Sequence, residues 1–199
     1  MGERPVVRDS KATLLAAGAE EFAQHGLRGT RIQAIVRRAG VNERMIYHHF
    51  GSKEGLYRAV VEAQMREVAE AWWPVLAEAG GQEPYQGMRA VLRGFFRIIR
   101  GRPLFVKLML QETLADWSGR PAAAPDQLPL PVRKLYEQGQ DQGVFRRDQP
   151  FELAYGTAVS AMMARVIFAA RDAEIAKSVP LTDEAVIDLL LDGMTGNSP

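Results

Sequence analysis

Residues 30–57 read TRIQAIVRRAGVNERMIYHHFGSKEGLY, and this stretch decides the fold. Thr30 followed by Gln33 has the T-x-x-Q spacing of a capping box, which predicts a helix start. Ile32, Ile35 and Val36 then share one buried face. Ala39-Gly40-Val41 interrupts the pattern, and Gly40 is the residue able to take the left-handed conformation that ends a helix. Asn42 is placed to cap a second helix, with Met45, Ile46 and Phe50 at helical spacing. Ser52 caps a third, beginning Lys53-Glu54. Helix, short Gly turn, helix is the layout of the helix-turn-helix, whose second helix enters the DNA major groove.

AGVNERMIYHHFGSKEGLY, with the preceding LLAAGAEEFAQHG, resembles the N-terminal domain of TetR/AcrR-type transcriptional regulators. The resemblance covers roughly residues 13–60 and rests on Ala39-Gly40-Val41, Tyr47, His49-Phe50 and Ser52-Lys53-Glu54 in register. It implies an all-α fold, with a helix-turn-helix domain over 1–55 and a helical ligand-binding and dimerisation domain over 56–199. Three positions depart from the family pattern. Arg44 stands where a small residue or proline is usual, Val36 where alanine is, and Glu21 where an apolar residue is.

Composition agrees with a globular chain: 199 residues with 47% hydrophobic content can bury a sizeable core. No apolar run approaches the ~18 residues of a membrane span, so no membrane partner is expected. The start MGERPVVRDS lacks the apolar segment of a secretory signal. Zero cysteines exclude disulfides and thiolate metal sites and fit a reducing cytoplasm. The net charge of +1 hides an asymmetry, because residues 1–58 carry 10 Lys/Arg against 6 Asp/Glu. The excess sits on the half that would neutralise phosphate.

Beyond the motif the chain reads as helix. A first helix spans about Ser10–His25, and one from Ser52 bends or ends near Pro74. Gly80-Gly81 is a break. Met88, Val91, Leu92, Phe95, Phe96 and Ile99 mark another helix, and Gly101-Arg102-Pro103 a turn before Leu104–Trp117. The Pro- and Ala-rich 118–131 reads as a loop. Helices follow over about 132–139, 151–171 and 182–194.

The DNA-facing set is Thr30, Arg31, Asn42, Glu43, Arg44, Met45, Tyr47, His48, His49 and Lys53. Lys53 sits at a helix start, where backbone N–H groups already favour an anion. Tyr47 and His49 can donate to phosphate, and Thr30 and Arg31 open the supporting helix. Arg44 is the candidate base reader, since arginine bonds guanine O6 and N7 bidentately. Glu43 either accepts from cytosine N4 or orients Arg44.

One such motif covers one half-site, so a homodimer on a palindromic double-stranded operator is expected, its reading helices about 34–36 Å apart. The small residues Ala154, Thr157, Ala158 and Ala161 and the stripe Ile187, Leu190, Leu191 and Met194 are the candidate interface. Phe95, Phe96, Ile99, Phe105, Leu108, Met109, Glu112, Trp117, Tyr136, Tyr155, Met162 and Arg165 are candidates to line a pocket for a small-molecule ligand, largely apolar. Arg165 would pair with a ligand carboxylate or with an acid across the dimer. Arg89, Arg93, Arg97 and Arg100 read as a solvated basic face. Three histidines, all within residues 25–49, and no H-E-x-x-H or phosphate-cradling Gly loop leave no catalytic residue, metal site or cofactor to name, so no enzyme is expected. A sequence-independent DNA-packaging protein would need stronger basicity than this chain has.

Overall fold

The computed structural model describes residues 9–114, 129–169 and 182–195. These form α1 (Ser10–Gly29), α2 (Ile32–Ala39), α3 (Arg44–Phe50), α4 (Lys53–Ala79), α5 (Pro84–Arg100), α6 (Pro103–Leu114), α7 (Leu130–Asp141), α8 (Phe151–Ile167) and α9 (Asp183–Met194). Among the described residues the only extended pairing is an isolated bridge between Phe145 and Thr195, so the all-α reading holds. Trp117 and most of the 118–131 segment lie outside the described residues, as does the end of the helix expected to reach 171.

The chain divides into two compact units. The first runs to Glu67 and takes in α6 from Lys107 onward; the second covers Val68–Val106 with α7, α8 and α9. The division thus falls inside α4 rather than at residue 55. Leu56, Tyr57 and Val60 are buried, and a Cβ at Gly18 of α1 would lie 3.1 Å from Val60 and 3.6 Å from Leu56. The first turns of α4 therefore belong to the core that holds α1.

In the first unit Leu14, Phe22, Ile35, Ile46 and Leu56 are fully buried, and Phe22 meets Tyr57 edge to face at 4.9 Å. The unusual Glu21 is nearly buried, but Arg38 of α2 donates to it at 2.8 Å and to Glu20 at 2.5 Å. A carboxylate where an apolar residue is usual is thus met by a guanidinium on the neighbouring helix, because a buried charge needs a partner.

The second unit is built on α5, whose Met88, Val91, Leu92, Phe96, Ile98 and Ile99 are buried with Val132, Leu135 and Tyr136 of α7. Tyr136 stacks on Phe145 at 5.1 Å and tilts against Phe151, which stacks on Tyr155. Burial pushes the Tyr155 phenol well above its ordinary pKa.

Two expectations are corrected here. The helix runs through Pro74 to Ala79 instead of ending near Trp73. An interior proline costs roughly 3 kcal/mol, and packing of the following turn offsets it: Leu76 and Ala79 are buried, and Val75 fills the space where a Gly94 Cβ would stand. The basic stripe of α5 is not simply solvated either. Arg89 pairs with Glu184 at 3.0 Å and Asp188 at 2.5 Å, Arg93 with Glu184 at 2.6 Å, and Arg100 with Asp183. Three arginines thus tie α9 down, and Arg93 followed by Arg89 holds the Glu184 carboxyl below its usual range.

The seam expected between copies also looks different in place. Ala154, Ala158, Ile187, Leu191 and Met194 are buried within the chain's own second unit. Helical spacing marks a buried face without saying whose surface covers it. Thr157 is exposed, and Ala161 and Leu190 are half-buried. The apolar groups these helices leave in solvent are chiefly Leu153 and Leu189.

Candidate nucleic-acid interface

Gly40 takes φ 68 and ψ 32, the left-handed turn expected of it, and its N–H returns to the Val36 carbonyl at 2.9 Å. Asn42 then caps α3, its Oδ1 accepting from the Arg44 N–H at 2.9 Å. At the far end Gly51 has φ 76, so α3 is held between two positive-φ glycines. Ser52 opens α4 by accepting from the Gly55 N–H at 3.0 Å.

The capping box at the start of α2 does not form. The Thr30 hydroxyl is directed at the end of α1, toward the carbonyls of Glu21 at 3.1 Å and Gly26 at 2.7 Å. Gly26, at φ 65 and ψ 176, breaks the helix there and frees the carbonyls that attract the hydroxyl. Arg31 occupies the cap position of α2 without a side-chain cap bond. Thr30 is only 3% exposed, so it offers the interface its carbonyl, which accepts from Lys53 Nζ at 3.1 Å.

That bond closes the back of a cleft of about 480 Å³ lined by Thr30, Arg31, Ile32, Gln33, Glu43, Tyr47, Ser52, Lys53 and Glu54. Five of the expected residues meet there. Tyr47 is 51% exposed, and its phenol donates to Glu43 at 3.5 Å. Glu54 is held below the ordinary carboxyl pKa, first by a backbone hydrogen bond, then by the Ser52 hydroxyl, and by the Lys53 charge. Its negative charge in the first turn favours the helix and leaves Lys53, Arg31 and Tyr47 as the donors facing solvent. A phosphate oxygen fits such a donor set beside the N-terminus of a long helix.

Arg44 and His48 are exposed but do not line the cleft. Met45 is half-buried. His49 is hydrogen-bonded through Nε2 to Ser10 Oγ at 2.8 Å, which ties the end of α3 to the start of α1. Ser10 and Gly55 are the participants the sequence reading missed. Gly55 had a signal, since glycine in the first turn of a helix is unfavourable unless space demands it.

The pocket candidates divide between the units. Leu108, Met109 and Glu112 belong to the first, where Leu108 is fully buried and Glu112 accepts from the Tyr57 phenol at 2.5 Å. Phe96, Ile99, Phe105, Tyr136, Tyr155 and Met162 are buried in the second, with Phe95 and Arg165 half-buried. Phe95 meets Trp72 at 5.2 Å, and the Tyr136 phenol is directed at Gln149. Among the described residues no group of His, Asp and Glu could hold a metal, and no helix is long and apolar enough to cross a membrane.

Compared with known proteins, residues 14–60 match the family described as bacterial regulatory proteins, tetR family. Residues 84–186, more than half of the chain, match the tetracyclin repressor-like C-terminal domain. The transcriptional repressor NicS of Pseudomonas putida is 29% identical over 151 residues, 73% of this chain and 70% of NicS. The repressor AcnR of Corynebacterium efficiens is 23% identical over 93% of this chain and 95% of its own. In fold, a TetR family regulator from Marinobacter aquaeolei superposes with a TM-score of 0.70 at 21% identity, covering 93% of this chain and 95% of that one. The regulator KstR2 of Mycobacterium tuberculosis gives 0.69 at 22% identity, covering 96% and 97%. With a helix-turn-helix closed by a phosphate-sized donor cleft, and both family domains matched in order, the chain belongs to the TetR family and is a DNA-binding transcriptional regulator.

Proposed function

We propose that the protein is a homodimeric repressor that binds a palindromic operator and is released from it by a small, largely apolar ligand. The observation that carries the reading is the side-by-side arrangement of donor cleft and exposed α3 row, Lys53 and Tyr47 on one side and Arg44 and His48 on the other. Such an arrangement suits one half-site, and reading two successive turns of one DNA face calls for a second copy. The exposed Leu153 and Leu189, beside a groove of about 180 Å³ that includes Thr157, Leu190 and Met194, support α8 and α9 as the faces that meet it. The repressor sign is supported by the names of NicS and AcnR.

The ligand would enter the second unit among Phe95, Phe96, Phe105, Tyr136, Tyr155 and Met162, with Arg165 as the polar group. A ligand that prefers a dimer with a different spacing of its reading helices lowers operator affinity. Operator DNA then weakens ligand binding by the same factor. The test is selection from a random duplex pool at moderate salt, followed by sequencing. Recovery of a palindrome with half-sites about one helical turn apart is expected; enrichment of no sequence would contradict the reading.

A further inference from the structure

We infer that α3 reads guanine through two side chains, Arg44 and His48, so that each half-site carries two guanines on the same or neighbouring base-pair steps; this rests on the operator-binding reading above. Ile46 is fully buried, and Met45, His49 and Phe50 are half-buried, so Arg44, Tyr47 and His48 are what α3 presents to solvent. The three divide by what they face. Tyr47 lines the donor cleft with Glu43 and Lys53 and donates to the Glu43 carboxylate. Arg44 and His48 lie off that cleft. They are one turn apart, about 6 Å along the helix and on one side of it.

The chemistry of that pair is selective. Arginine has only donors, and an imidazole offers an N–H in either tautomer. In the major groove guanine presents two acceptors, N7 and O6; adenine pairs its one acceptor with a donor, and cytosine presents a donor alone. The acceptor that cytosine would need on this helix is Glu43, and the Tyr47 phenol already engages it in the cleft. The His48 ring meets His49 edge to face at 4.9 Å, and His49 is fixed to Ser10, so His48 stands on an anchored neighbour. A separation of about 6 Å spans no more than about two base-pair steps of about 3.4 Å.

Fluorescence anisotropy on the operator recovered by selection tests this. Each half-site guanine is replaced in turn by 7-deazaguanine, which pairs normally but lacks the N7 acceptor. Two replacements should each weaken the unaltered protein about tenfold. The first should have no further effect on the Arg44→Ala protein, and the second none on His48→Ala. The measurement on the unaltered protein does not depend on how either variant folds. A palindrome without guanines in its half-site would overturn the inference, as would indifference to 7-deazaguanine or penalties unchanged in both variants. Each of those results leaves operator binding standing. Recovery of no palindrome would remove operator binding and this inference with it.

Discussion

Alanine at position 55 will collapse operator binding and destabilise the first unit by about 3 kcal/mol, the upper part of the range for overpacking. A Cβ there would lie 2.0 Å from the Phe50 carbonyl oxygen and 3.1 Å from its carbon. The obstruction is backbone, so no rotamer change relieves it. Gly55 is not among the positive-φ glycines; space, and not conformation, requires it. Phe50 is the last residue of α3, and Gly55 lies in the first turn of α4. Either α3 must shift or the start of α4 must unwind. Both are anchored, α3 by the fully buried Ile46 and α4 by Leu56, Tyr57 and Val60. A shift of α3 moves Arg44 and His48 off their bases, and each lost base contact costs about 1–3 kcal/mol of discrimination. Thermal unfolding together with affinity for operator and scrambled duplex checks this. The expected result is a lowered Tm with the two affinities converging. Wild-type values for both would show that the close approach of α3 and α4 is dispensable.

Removing the Lys53 ammonium should act differently. Lys53 is the first residue of α4, and its Nζ is steered into the cleft by the Thr30 carbonyl at 3.1 Å. A phosphate there meets the cation and the helix N-terminus together. Phosphate contacts position the protein without reading sequence. Lys53→Ala should therefore weaken operator and random duplex in parallel and reduce the slope of log K against log salt by about one. Lys53→Arg should keep the slope, since the charge remains. Titrations across a salt series read both quantities. A loss confined to the operator, at an unchanged slope, would make Lys53 a support for α3 and not a phosphate contact.

What the sequence made legible is the backbone of the interface. Gly40 in the turn, Asn42 capping α3 and Ser52 capping α4 follow from local chemistry, because each side chain or φ angle answers to neighbours within a few residues. The directions of longer-range side chains were not legible. Thr30 has a capping-box partner in sequence, yet the break at Gly26 offers its hydroxyl nearer acceptors. The arginines of α5 look solvated until α9 brings Asp183, Glu184 and Asp188 beside them. The stripe on α9 is apolar at helical spacing whether it meets a partner or its own core, and Ile187, Leu191 and Met194 meet the core. Gly55 shows the same limit, since its reason is a carbonyl five residues away across a turn.

The central claim is sequence-specific binding by the α3 row beside the donor cleft. The most direct measurement is the ratio of affinities for the selected operator and a scrambled duplex of equal length and composition, at one physiological salt concentration. The account predicts a ratio of about a thousand or more, as specific regulators show over their own non-specific binding. Equal affinities would contradict it, leaving a basic surface that holds phosphate without reading sequence.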